Sequence, residues 1–203
     1  GSLLSGVAPT CKLLHGVCMT DPLVYTSLST TSSGGSHHLV NTILLASRHL
    51  LRLDLTSLHI VDMGVVHAMA QCEMLEELAL RHLPVYTAQH LHLSRLRKLT
   101  LSRATRLSDH GLEELSTQMH LLTDLNVSHS SIQGPGLVAV LKNNPSISTL
   151  NLDNCHRLLG LTLVQLFTES CCGVRVLCIS NSWHVTDDVF HTICLHLENL
   201  ESL

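Results

Sequence analysis

One pattern constrains this chain more than any other: Leu-x-x-Leu-x-Leu, with Val or Ile as occasional substitutes. It occurs as Leu50, Leu53, Leu55, then Leu75, Leu78, Leu80, then Leu96, Leu99, Leu101. Further copies are Leu122, Leu125, Val127, then Ile147, Leu150, Leu152, then Val174, Leu177, Ile179, and a last one begins at Leu200 and Leu203. The starts are 25, 21, 26, 25, 27 and 26 residues apart. Seven copies at near-constant spacing indicate a repeat architecture.

The Leu-x-Leu pair has period two, so both side chains point to one face of a short strand. The segments between have helical spacing. Leu107, Leu112, Leu115 and Met119 form one stripe, and Val185, Val189, Ile193 and Leu197 form another. One strand and one helix cannot bury their own apolar faces. Stacking such units makes a parallel sheet on one surface and helices on the other. Helices are wider than strands, so the expected fold is an α/β solenoid: a curved stack with parallel strands on the concave side and helices on the convex side.

These residues resemble the leucine-rich-repeat family over Leu50 to Leu203. Three copies lead into their helix through an acidic or Gly-containing turn: Val61-Asp62-Met63-Gly64-Val65, Ser108-Asp109-His110-Gly111-Leu112 and Val185-Thr186-Asp187-Asp188-Val189. Asp or Ser at such a turn accepts a hydrogen bond from a free amide of the first helical turn. Gln133-Gly134-Pro135-Gly136-Leu137 keeps the glycine and has lost the acid. This is similar to the cysteine-containing subtype common in F-box proteins. Cys72 and Cys171 match its first cysteine slot and Cys155 its second. Leu58, Leu83, Ala104, Ser130 and Ser182 depart from the second slot, so its hydrogen-bonding ladder is expected to be broken. The 21-residue copy is too short for a full helix, and an abbreviated turn is expected around Pro84.

Residues 1–49 allow two readings, a degenerate N-terminal repeat or a separate cap. Leu14, Val17 and Met19 have strand spacing, and Leu39, Ile43 and Leu44 have helical spacing. Between them the Ser-, Thr- and Gly-rich stretch 26–36 reads as a loop. Residues 50–203 then form a repeat domain of about six repeats plus the start of another. The chain begins Gly1-Ser2 rather than with Met and stops within a repeat, so a fragment of a longer protein is expected.

Composition removes several function classes. Charged residues are 14% and the net charge is −4, which argues against the clustered Lys and Arg of a nucleic-acid grip. An apolar fraction of 45% argues against disorder. Aromatics are 2%, so the core is aliphatic and stacking platforms are scarce. No long run of apolar residues suggests a membrane span, and no signal peptide is visible. The eight cysteines contain no CxxC pair and suit reduced, buried thiols in the cytoplasm.

The residues flanking the inward Leu positions face the expected concavity. The candidate partner-binding set is Arg52, Asp54, Glu77, Arg81, Lys98, Asp124, Asn126, Asn151 and Asp153. Ser128 belongs to the same face, and His82, Arg103, His129, Asn154 and Asn181 border it. A surface of both signs suits a protein partner through electrostatic complementarity. Catalytic residues, cofactors and metals are not expected. Ser108-Asp109-His110 contains triad residue types, but adjacency does not make triad geometry. His191, Cys194 and His196 do not converge on one side of a helix, and His37-His38 is a weak metal candidate. Asn126-Val127-Ser128 is a glycosylation sequon by chance on a strand. Trp183 is either a partial core residue or an exposed contact.

The expected function is therefore a non-enzymatic protein–protein interaction module in the cytoplasm, binding a protein partner rather than a small-molecule substrate, nucleic acid or membrane. The subtype implies one alternative, the substrate-receptor part of an F-box ubiquitin ligase with the F-box outside this chain. A structural subunit of a large ciliary or ribonucleoprotein assembly is the other.

Overall fold

A computed structural model describes residues 17–19, 27–30, 36–58, 61–81, 91, 93–104, 107–171 and 173–203. Among these residues eight strands form one sheet in chain order: β1 Val17–Met19, β2 Ser27–Thr30, β3 Arg52–Leu55, β4 Glu77–Leu80, β5 Lys98–Thr100, β6 Asp124–Asn126, β7 Thr149–Asn151 and β8 Val176–Cys178. β1 pairs antiparallel with β2, and β2 to β8 are parallel throughout. Six helices are described: α1 Ser36–Ala46, α2 Met63–Met69, α3 Asp109–Ser116, α4 Pro135–Asn143, α5 Gly160–Glu169 and α6 Asp187–His196. The fold is α/β, as the two periodicities require.

The register places Leu28, Leu53, Leu78, Leu99, Leu125, Leu150 and Leu177 side by side on neighbouring strands. All seven are buried. A second buried row runs Leu50, Leu75, Leu96, Leu122, Ile147 and Val174, and a third runs Leu55, Leu80, Leu101, Val127 and Leu152. The Leu-x-x-Leu-x-Leu pattern is thus three parallel apolar rows. Burying each such side chain contributes about 1.5–3 kcal/mol, and each inner strand shares its row with the strands on either side. The helical stripes close the core from the other side. Leu107, Leu112, Leu115 and Met119 are all buried, as are Val189, Ile193 and Leu197.

A repeated backbone bond sets the strand register. The carbonyl of Arg97 accepts from both Thr123 and Asp124 amides, that of Thr123 from Ser148 and Thr149, and that of Ser148 from Arg175 and Val176. At the other strand end the chain turns through a left-handed residue. Arg103, His129, Asn154 and Asn181 have φ of 61°, 57°, 57° and 53°.

Residues 26–36 differ from expectation. Instead of one loop, the stretch holds β2, whose Leu28 extends the buried row. Its small β-tolerant Ser and Thr residues need only one apolar side chain to join the sheet. Val17–Met19 is a strand, yet it runs antiparallel and so is not an earlier copy of the repeat. The sheet crosses the division at residue 49 without a break. In α1, Ile43 and Ala46 face inward while Leu44 is exposed. The turn expected around Pro84, and His82, lie outside the described residues.

Candidate strand-face docking site

The strand face carries the polar residues left over once the rows are buried. Pairing aligns Arg52 with Glu77, Glu77 with Lys98, and Lys98 with Asp124. Four charges of alternating sign therefore lie on four adjacent strands. Arg52 Nε is 3.3 Å from Glu77 Oε1. Lys98 has no ion-pair partner among the described residues. Asp124 accepts a hydrogen bond from the Thr123 hydroxyl at 2.7 Å. The row continues as Thr149 and Val176, so its charge ends at β6.

The adjacent row runs Asp54, Ala79, Thr100, Asn126, Asn151 and Cys178. Here three of the expected binding residues have structural work. Asp54, Asn126 and Asn151 each accept, through Oδ1, the amide two residues on: Thr56, Ser128 and Asp153. These Asx turns end the strands. Asp153 in turn accepts the Ser180 amide at 2.6 Å, linking two repeats. Arg81 is half-buried, and its Nε has no hydrogen-bond partner among the described residues. The structure thus brings Arg52, Glu77, Lys98 and Asp124 together as an open row, and sets Asp54, Asn126, Asn151 and Asp153 into turns. Ser128 is buried at 6% exposure rather than on the open face, because the strand stops at Asn126 and the chain turns inward.

A hollow of about 270 Å³ opens over β2 to β5, with Ala79 in its floor and Arg52, Glu77 and Lys98 on its rim. Ala79 makes it possible: the neighbouring positions hold Asp54 and Thr100, so the row dips by the missing side-chain atoms.

Outside this face the polar residues hold repeats together. Asp109 accepts three amides of the next repeat: Gln133 (2.8 Å), Gly134 (2.9 Å) and Gly136 (3.0 Å). The acid lost from the Gly134 turn is therefore supplied by the preceding repeat. Gly136 is required by this contact, since a Cβ there would collide with the Asp109 carbonyl oxygen. The Ser108 hydroxyl accepts the Gly111 amide, and His110 lies beside Glu113 and Glu114, so these three side chains serve separate local contacts. Asp62 accepts the Val65 amide as expected, whereas Thr186 makes no side-chain cap.

The second cysteine slot is not simply broken. Cys155 Sγ donates to the Val127 carbonyl and lies 3.7 Å from Ser130 Oγ, and Ser182 Oγ donates to Leu152. Burial pushes the Cys72 thiol up to about 11 and raises that of Cys155. Cys72, Cys155, Cys178 and Cys194 form no disulfide. Among the described residues no group of three His, Cys, Asp or Glu converges, and no helix is long and apolar enough to cross a membrane. Trp183 is 85% exposed, with its ring edge-on to His156 at 5.8 Å.

No family model matches the chain, and no curated relative does. Among solved structures it is similar to the leiomodin-1 Actin-Binding Site 2, with 13% identity over 82% of this chain and 90% of that one and a TM-score of 0.51. It is also similar to the tropomodulin C-terminal domain of Caenorhabditis elegans, with 16% identity, 81% and 92% coverage and a TM-score of 0.49. These comparisons correct the resemblance drawn from the repeat. The leiomodin-1 structure bears the name of neither a leucine-rich-repeat nor an F-box protein, and no family model supports either, so the ubiquitin-ligase adaptor role falls with the resemblance. The physical reason is that aligned leucines and capped helices are what any stack of strand–helix units needs. They specify the architecture and carry no mark of a particular family.

Proposed function

We propose that the chain is a non-enzymatic protein-docking module in the cytoplasm, and that its strand–helix units curve into a solenoid whose strand face receives a protein partner. Residues 50–203 supply the repeats, with β2 as the strand that flanks them. The observation that carries this reading is the row Arg52, Glu77, Lys98 and Asp124 on four adjacent strands, beside a shallow hollow. Charges of both signs in one open row guide a protein surface into register. The hollow, at about 270 Å³, lies just below the range usual for pockets that bury a small molecule, which favours a docked surface. The buried thiols of Cys72 and Cys155, outside any disulfide, support the compartment. The leiomodin-1 domain is an example of a similar fold that is an actin-binding site. At that distance it supports the use of the fold for protein docking, not the identity of the partner.

A photoreactive side chain at Thr100, on the strand face, tests the reading against the same probe at Leu161, on the helix side. In an extract of the source organism, Thr100 should give a discrete protein adduct that Lys98→Glu diminishes. Adducts from Leu161 alone would contradict it.

A further inference from the structure

The strand face resting on the docking reading above has a spacing as well as a charge order, and the two together restrict the partner. We propose that the docked segment is an α-helix lying across β3 to β6, with an acid at position i, a base at i+3, an acid at i+7 and a base at i+10.

The row Arg52, Glu77, Lys98, Asp124 reads plus, minus, plus, minus on successive paired strands. Neighbouring strands are about 4.8 Å apart, so the four positions fall at about 0, 4.8, 9.6 and 14.4 Å. A helix rising about 1.5 Å per residue puts i, i+3, i+7 and i+10 at about 0, 4.5, 10.5 and 15 Å. Those four side chains share one helix face, within an arc of about 80°. An extended chain fails the same comparison. Its same-face residues recur every 6.7 Å or about that, so its third charge is already about 4 Å out of register. A nucleic acid fails on sign, because a phosphate backbone meets Glu77 and Asp124 with repulsion.

The hollow fits the same placement. Ala79 lies on the strand of Glu77, one row over. A compact apolar side chain at i+4, adjacent to the base facing Glu77, drops onto Ala79. In the existing Arg52–Glu77 pair Arg52 is exposed and Glu77 half-buried, with side-chain exposures of 64% and 33%, so water screens the pair and exchanging it for contacts across the interface costs less than breaking a buried pair.

Two stapled helical peptides of identical composition test this by titration calorimetry. One carries the order acid, base, acid, base at those positions, and the other acid, acid, base, base. The protein should bind the first at least about tenfold more tightly, since each opposed like-charge contact is penalised. A double variant, Glu77→Lys with Lys98→Glu, keeps the net charge and changes the row to plus, plus, minus, minus. It should reverse the preference. An unchanged circular dichroism spectrum establishes that the variant is folded. Equal affinity for the two peptides overturns the proposal, as does an equally tight complex with an unstapled, proline-interrupted peptide of the first sequence. Failure of both peptides while the Thr100 adduct persists also overturns it, and leaves the docking face standing.

Discussion

The repeats around α3 and α4 and those around α5 and α6 share the same buried rows but are stitched together differently. Between α3 and α4, Asp109 holds three amides of the following turn. Asn143 donates to Ser116, and buried Asn144 joins the Val140 carbonyl to the Leu122 amide. The later helices start at Leu159 and Thr186 without a side-chain cap. Surface ion pairs join Lys142 of α4 with Glu169 of α5, and Arg175 with Glu201. Exposed pairs of this kind contribute about 0–1 kcal/mol. Leu161, Trp183 and Phe190 are also exposed in the later repeats. The difference teaches that the apolar rows are common to every interface, while the polar bridges laid over them differ from one interface to the next.

The largest effect should come from the shared rows. Leu125→Ala should lose about 2–5 kcal/mol in urea unfolding, because its neighbours on β5 and β7 cannot close the cavity. A loss near zero would break the comparison by showing that the rows do not hold either region. Asp109→Ala should lose about 2–3 kcal/mol, since three amides lose a charged acceptor. Asp187→Ala, at the start of α6, should lose about 0.5 kcal/mol. Equal losses for the two would erase the distinction between a carboxylate that bridges two repeats and one at an uncapped helix start.

Asn144→Ala should lose about 1–3 kcal/mol by orphaning the Leu122 amide, again read from urea midpoints. The earlier repeats add a pH-dependent term. Cys72 keeps its proton in the fold up to about 11, whereas an ordinary thiol loses it near 9.0. The native state thus holds the extra proton across that window, and stability falls as pH rises through it, by at most about 1.4 kcal/mol per unit. Cys72→Ala should flatten this decline in unfolding midpoints measured at pH 8 to 11. The smallest effect concerns the left-handed turns. Arg103→Asn should gain about 0.5 kcal/mol, because Asn adopts that conformation at lower cost. A thermal melt that moves down would show that the Arg103 side chain itself stabilises the turn.

Much of the architecture was legible because leucine spacing encodes a short-range periodicity. Leu78, Leu99, Leu125 and Leu150 follow from it directly. The Asp109 bridge was not legible, since its partners are 24–27 residues away and the carboxylate looks like a local cap. The site was legible in part. Alternation put Arg52, Glu77, Lys98 and Asp124 outward, but it could not reveal that Asp54, Asn126 and Asn151 fold back onto their own backbone. Ser128 was misplaced for a related reason: alternation holds only while the strand lasts. The family resemblance misled because it took its authority from the same short-range pattern.

Both the Asp109 bridge and the charged row join units whose apolar rows are shared with their neighbours. Native-state hydrogen exchange by NMR measures the resulting coupling residue by residue. The amides of Leu125 and Leu150 should exchange only through the largest opening, and those of α6 through a smaller one, with Leu125→Ala lowering protection in β5 and β7 alike. Protection in β5 and β7 that is unchanged by Leu125→Ala would contradict the stack.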